Sequence, residues 1–138
     1  MRLRKDAKIA LIEQVPLFAH CTKTELAAVA GEADELHIPA GRQLTVEGEP
    51  GREFAVLVDG SASVEREGER IRVLGSGDFL GEIALIAGGP RTATVTTTSE
   101  SRVLVLTDRA FRRVIAAVPS VQEHVIESLG ERLQASAL

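Results

Sequence analysis

The sequence predicts a mainly β body with helices flanking it at both ends, and three observations lead there. The periodicity of the apolar residues changes twice: it is helical over residues 5–31, strand-like over 33–107 and helical again from 108. Glycine-containing turns punctuate the middle region at Gly41, Gly48 with Pro50-Gly51, Gly60, Gly68, Gly75 with Gly77, and Gly88-Gly89-Pro90. The strands between these turns recur at near-regular spacing, the pattern of a sandwich or barrel. Finally, 138 residues suit one domain of about 100 to 150, with no room for a second catalytic or DNA-reading unit.

Each element has a local reason. In the first region Ile9 and Ile12 recur at helical spacing, and Thr22-Lys23-Thr24-Glu25 is a capping-box pattern ahead of Leu26, Val29 and Ala30. Val15-Pro16-Leu17-Phe18 forms an elbow between two short helices. Strands are expected at 35–38, 43–46, 53–58, 62–66, 70–74, 92–98 and 102–106. Val64-Glu65-Arg66, Thr94-Val95-Thr96 and Val103-Leu104-Val105 are read as alternating, half-buried antiparallel strands. One segment breaks the rhythm: residues 82–87 are good helix formers, predicting a short helix inside the β body. Asp108 is the expected N-cap of a helix over 109–117. Ser120-Val121-Gln122-Glu123 reads as a second capping box opening a last helix to about 135. In that helix Val121, Val125, Leu129 and Leu133 fall at steps of four with Ile126 beside them, so one face is apolar and must cover something. Gly130 weakens it by about 1 kcal/mol relative to alanine, which suits an element that bends.

Composition narrows the function. With 44% hydrophobic and 26% charged residues, the chain matches ordinary soluble domains at about 45–50% and 25%. Sixteen basic residues against twenty acidic give a net charge of −4, which argues against binding nucleic acid through net charge. The apolar run after Arg2, Arg4, Lys5 and Lys8 is cut by Glu13 and Pro16, too short for a signal peptide. No apolar stretch nears the roughly 18 residues of a membrane span. A soluble, cytoplasmic protein is expected, and the single Cys21 suits a reducing compartment. Cys21 is expected to be a small buried residue. The three histidines, His20, His37 and His124, are scattered through the sequence, so no metal cofactor is expected. There is no Trp or Tyr, and the aromatics are Phe18, Phe54, Phe79 and Phe111, so a ring-shaped ligand would be held mainly by aliphatic walls.

The chemistry concentrates between Gly77 and Val95. Gly81 lets the backbone approach a ligand, and the helix start behind it offers free N–H groups and a positive dipole end, an anion site. Arg91, fixed by Pro90, can pair bidentately with a phosphate or carboxylate. Glu82 at the same helix start accepts only, so it suits a hydroxyl donor such as a sugar. Together they ask for a ligand with one negative group, a neighbouring hydroxyl and an apolar remainder. Taken singly these residues have plainer readings. Arg91 suits a solvated turn, Glu82 a helix-start acid, Thr92 an ordinary strand position, and the Val121–Leu133 stripe core packing or a dimer seam.

The stretch GDFLGEIALIAGGPRTATV resembles the phosphate-binding cassette of the cyclic nucleotide-binding domain family, which includes kinase regulatory subunits, gated channels and catabolite-activator regulators. IPAGRQLTVEGEPGREFAVLVDGSASV resembles that family's turn-rich first half. The resemblance implies a β-roll, a double-stranded jelly roll. It would carry an N-terminal helical bundle (1–31), a short phosphate-cassette helix within the roll (32–107), and two C-terminal hinge and lid helices (108–138). It implies that Arg91 pairs with the cyclic phosphate beside Gly81 and that Glu82 accepts from the ribose 2′-hydroxyl. Backbone N–H groups of Ile83, Ala84 and Ala93 would complete the cradle, and Ile71 and Leu74 would line the base side. Leu80 stands where many members have Phe or Ile, which alters packing. Thr92 follows the arginine as in members preferring cyclic GMP, though such hydroxyls also occur in cyclic AMP binders. The last helix lacks an aromatic residue, so the lid over the base is aliphatic, Leu129 or Leu133, or comes from a second subunit.

The resulting expectation is a non-enzymatic sensor that binds a 3′,5′-cyclic nucleotide, cyclic AMP favoured over cyclic GMP, and transmits binding through its C-terminal helices. Its partners would be the nucleotide, an unidentified effector protein and a second copy through the last helix, with no nucleic acid or membrane. Two alternatives compete: a structural or interaction module of the same fold that binds no nucleotide, or the sensory part of a larger regulator. A metal-dependent enzyme on a β-roll lacks clustered histidines.

Overall fold

The computed structural model describes the backbone of residues 5–81 and 88–137, and their side chains except at 5–6, 128–129 and 132–137. The short helix expected over 82–87 lies outside the described residues.

Helix α1 (Lys5–Glu13) leads through a 3-10 turn (Pro16–Phe18) to α2 (Lys23–Glu32). Pro16 occupies the first position of the turn, where a missing N–H costs nothing, and Leu17 and Phe18 are buried behind it. The expected capping box opens α2: Thr22 Oγ1 accepts from the Glu25 N–H at 3.2 Å, and the Thr22 N–H donates to Glu25 Oε1 at 2.8 Å. Lys8 Nζ ties α1 to the end of α2 by donating to the Ala33 carbonyl at 2.7 Å.

The strands are β1 (Asp34–Ile38), β2 (Gln43–Thr45), β3 (Glu53–Asp59), β4 (Ala62–Arg66), β5 (Glu69–Leu74), β6 (Phe79–Leu80), β7 (Thr94–Thr97) and β8 (Ser101–Thr107). They form two four-stranded antiparallel sheets, ordered β1-β8-β3-β6 and β2-β7-β4-β5. The two-residue β6 is too short to show a period. It exists because Ala55 and Val56 pair with Leu80 and Phe79, and because Asp78 Oδ2 accepts from the Gly75 N–H at 2.8 Å to turn the chain in.

The sheets enclose one core and the helices a second. Ala55, Leu57 and Val103 from the first sheet meet Ala62, Val64, Leu74 and Val95 from the second. Phe54, Val56, Leu104 and Leu106, on the opposite face of the first sheet, meet Ile12, Leu26, Val29, Phe111, Val114, Val121 and Val125 from the helices. Strand β8 therefore corrects the half-buried reading of Val103-Leu104-Val105: it is apolar on both faces because each face has a core to fill. The Phe54 ring lies 4.4 Å from that of Phe111 and 5.6 Å from that of Phe79. With Phe18, the chain's phenylalanines thus all belong to the helix-side core.

Helix α3 (Asp108–Ala117) is capped one residue earlier than expected. Thr107, extended at φ −64° and ψ 165°, accepts from the Ala110 N–H, and Asp108 becomes the first helical residue. Helix α4 (Pro119–Ala137) likewise starts at Pro119 rather than behind a Ser120 cap. Pro119 takes the first helical position, where its fixed φ suits the helix. Inside α4, the Ser120 carbonyl lies 2.8 Å from His124 Nδ1. Val121 and Val125 are buried, whereas Ile126 is 55% exposed and so not part of the packed face; the side chains of Leu129 and Leu133 lie outside the described residues. A two-pronged pair, Arg113 Nε and Nη2 to Glu32 Oε1 and Oε2 at 3.1 and 2.7 Å, joins α3 to α2. It holds the Glu32 carboxyl below its usual range.

One expectation about a reactive side chain changes, and two distant histidines meet. His20 and His124, far apart in sequence, stack with ring centroids 5.6 Å apart and planes at 14°. Cys21 is half-buried rather than buried, with Sγ 3.9 Å from Ser120 Oγ. Burial, with a smaller push from Glu25, raises its pKa against the opposing effect of Ser120. Among the described residues no group of three His, Cys, Asp or Glu side chains could hold a metal ion, and no helix is long and apolar enough to cross a membrane.

Candidate functional site

The site is built around Arg91, which precedes β7. Its main chain is fixed from both sides by the loop between β2 and β3: the Arg91 N–H donates to the Glu49 carbonyl and the Gly48 N–H donates to the Arg91 carbonyl, both at 2.9 Å. Arg91 as a whole is buried, 7% exposed. Nη2 donates to the Glu53 carbonyl at 2.8 Å, and Nη1 reaches the Gly81 carbonyl at 3.4 Å. This excludes the plain reading of Arg91 as a solvated turn residue.

Two glycines make this burial feasible. Gly81 has φ +97°, and a Cβ there would lie 2.5 Å from the Glu53 carbonyl oxygen and 2.8 Å from Arg91 Nη1. A side chain at this position would be both strained and obstructed. A Cβ on Gly51 would lie 1.7 Å from Arg91 Nε. The guanidinium therefore runs past Gly51 and reaches the carbonyls at the start of β3 and the end of β6. Gly81 and Arg91, ten residues apart in sequence, come together here.

The strand after Arg91 is secured by a buried hydroxyl. Thr45 Oγ1 donates to the Ala93 carbonyl at 2.9 Å and accepts from the Val95 N–H at 3.1 Å, bridging the irregular register between β2 and β7. Ala93 is buried, whereas Thr92 is exposed and its carbonyl accepts from Arg66 Nε at 3.2 Å. Leu80 and Leu74 are buried in the inter-sheet core, Leu74 opposite Ala62 on β4. Ile71 is 48% exposed, at a bulge where the β4–β5 pairing steps from Arg72 to Arg70. Glu82, Ile83 and Ala84 lie outside the described residues, as do the side chains of Leu129 and Leu133.

No pattern in the sequence marks Gly51, the Glu53 carbonyl, Thr45 or Arg66 as neighbours of Arg91 or its strand. A main-chain carbonyl has no residue signature, and these groups meet their partners across 26 to 50 residues of chain. Pro50-Gly51 was a visible turn signal, but nothing local says that the turn faces Arg91.

Chemically, a guanidinium held off water by protein and oriented by carbonyl acceptors is a group suited to pairing with an anion. Charge-assisted, two-pronged pairing is strongest where water is excluded.

A sequence model of one protein family, described as the cyclic nucleotide-binding domain, matches residues 35–118. The chain is 32% identical over 114 residues to a cAMP-dependent protein kinase regulatory subunit of Neurospora crassa, covering 81% of this chain and 30% of that protein. The chain therefore spans about a third of the length of that curated relative. Among solved structures, the regulatory domain of Toxoplasma gondii PKA, co-crystallised with cAMP, superposes with a TM-score of 0.82 at 25% identity, covering 93% of this chain and 50% of the other. A cyclic nucleotide-binding-like protein from Brucella abortus superposes with a TM-score of 0.65 at 32% identity, covering 80% of this chain and 99% of the other.

Proposed function

Because the chain belongs to the cyclic nucleotide-binding domain family, we propose that it is a non-enzymatic sensor that binds a 3′,5′-cyclic nucleotide, cyclic AMP in preference to cyclic GMP, and passes the event to its C-terminal helices. The single observation that carries this reading is the buried Arg91 guanidinium, aimed by the Glu53 and Gly81 carbonyls beside a glycine that leaves the backbone bare. A cyclic phosphodiester has one negative charge and suits such a clamp. Arg91 would take the phosphate, with the N–H groups of Ile83, Ala84 and Ala93 around it, and Glu82 would accept from the ribose 2′-hydroxyl. Ile71 and Leu74 would line the base side, Leu80 would pack behind them and Thr92 would offer its hydroxyl to the base, with Leu129 or Leu133, or a second subunit, supplying the lid. The preference for cyclic AMP is supported by the relative and neighbour whose names carry it.

Transmission requires differential affinity: moving the helices from 1:99 to 99:1 takes about 5.5 kcal/mol of ligand preference for one arrangement. Helices α3 and α4 share the helix-side core with β3 and β8, and β3 supplies the carbonyl that aims Arg91. That contiguity supports a path from site to helices. The listening partner would be an effector protein, with a second copy pairing through α4, in the cytoplasm. Isothermal titration with both nucleotides tests the reading. Arg91→Ala should weaken binding by about 2–5 kcal/mol, the cost of breaking a desolvated charge pair. Absence of binding by either nucleotide at millimolar concentration would overturn it and favour a ligand-free module.

A further inference from the structure

We infer that Gly51 is a positioning residue for Arg91: its missing side chain, rather than its backbone freedom, sets the direction of the guanidinium. The inference rests on the function proposed above and adds how that site is held ready. Two glycines of the β2–β3 loop separate the two reasons for being glycine. Gly48 has φ +84° and nothing within 4 Å of an added Cβ, so it serves the turn. Gly51 is outside the positive-φ region, so its backbone would accept an L side chain. Space is what it lacks: an added Cβ would lie 1.7 Å from Arg91 Nε, 2.3 Å from Cζ and 2.6 Å from Cδ, and these are its three nearest atoms.

The obstruction falls on the far end of a flexible side chain and not on backbone. An alanine at 51 would therefore push the guanidinium off the Glu53 carbonyl, 2.8 Å away, and leave the strands in place. The Arg91 main chain would stay pinned by Gly48 and Glu49. Fold and ligand site are thereby uncoupled at this position: the substitution is tolerated by the first and felt by the second.

The experiment is a double-mutant cycle on the full chain with Gly51→Ala, Arg91→Ala and the pair combined. Cyclic AMP and cyclic GMP affinities are measured by titration, with thermal melts alongside. The expected result is about tenfold or greater weakening in Gly51→Ala, equivalent to about 1.4 kcal/mol of lost binding, with a melting temperature close to wild type. Added to Arg91→Ala, the same alanine should change affinity by less than about twofold, since nothing remains to displace. Wild-type affinity in Gly51→Ala, or a loss that persists undiminished without Arg91, overturns the inference. A second readout needs no nucleotide: the Arg91 Nε–H resonance should move in Gly51→Ala, and an unmoved resonance rejects the role. If the wild type binds neither nucleotide, the proposed function falls while this resonance still decides the inference. Should Gly51→Ala fail to fold, recovery of folding in the combined variant supports the obstruction, and failure of both overturns it.

Discussion

Replacing Thr45 by valine removes one oxygen atom and almost no volume, and the structure makes that atom hold two main-chain groups. Oγ1 donates to the Ala93 carbonyl at 2.9 Å and accepts from the Val95 N–H at 3.1 Å in a buried position. Valine fills the space, so no cavity term enters, but it leaves a buried acceptor and a buried donor without this partner. Each orphaned group costs about 1–3 kcal/mol, and the added methyl offsets part of the total, giving a net loss of about 2–3 kcal/mol. With an unfolding entropy of about 2.1 cal/mol/K per residue over 138 residues, 1 kcal/mol shifts the midpoint by roughly 3.4 °C. Thr45→Val should therefore lower the melting temperature by about 7–10 °C, while Thr45→Ser, which keeps the hydroxyl, should lose clearly less. Differential scanning calorimetry of the three proteins makes the comparison. A valine variant within about 2 °C of wild type, or a serine variant no better than valine, would refute the bridging role and with it the account of how the start of β7 is fixed.

Phe54→Ala should cost about 3–5 kcal/mol by chemical denaturation, because the ring is 1% exposed and stacks on Phe111; a cost below about 1 kcal/mol would contradict the shared core. Cys21 should react with a disulfide reagent at pH 8 more slowly in the native chain than in the unfolded one, since burial raises its pKa and reduces the thiolate; equal rates would contradict this. The Glu32 carboxyl is held below its usual range by Arg113, so its contribution is present above the ordinary carboxylate pKa and lost as pH falls through the lowered one. Glu32→Gln should accordingly lower the melting temperature slightly at neutral pH and leave it unchanged in strong acid; an equal effect at both would argue that charge is not involved.

How much of this was legible in the sequence depended on the range of the interaction. The Thr22 capping box was readable because its partner is three residues away. At the start of α3 two neighbouring residues both qualify as caps, and the extended conformation of Thr107, set by the end of β8, decided between them. The Ser120 pattern gave a false cap because Pro119 had already claimed the first helical position. Turn signals located most strands, but β6 exists through pairing with β3 and has no period of its own. Arg91 and Gly81 stand out by type and spacing, and the fold brings them into contact. The acceptors that aim the arginine could not, because they are carbonyls brought in by the fold.

The first sheet separates two apolar compartments, so β3 and β8 cannot rely on contrast between oily and polar faces to keep their alignment. A one-residue slide would still leave the apolar side chains of their central stretch among hydrocarbons. What forbids it is bulk: Phe54 sits on the helix side, and its neighbour Ala55 faces the other sheet. Sliding β3 would force a benzyl group into a niche shaped for a methyl, an overpacking cost of about 1–3 kcal/mol or more. Sculpted volume, rather than wetting, is thus the ruler along which this central wall is measured.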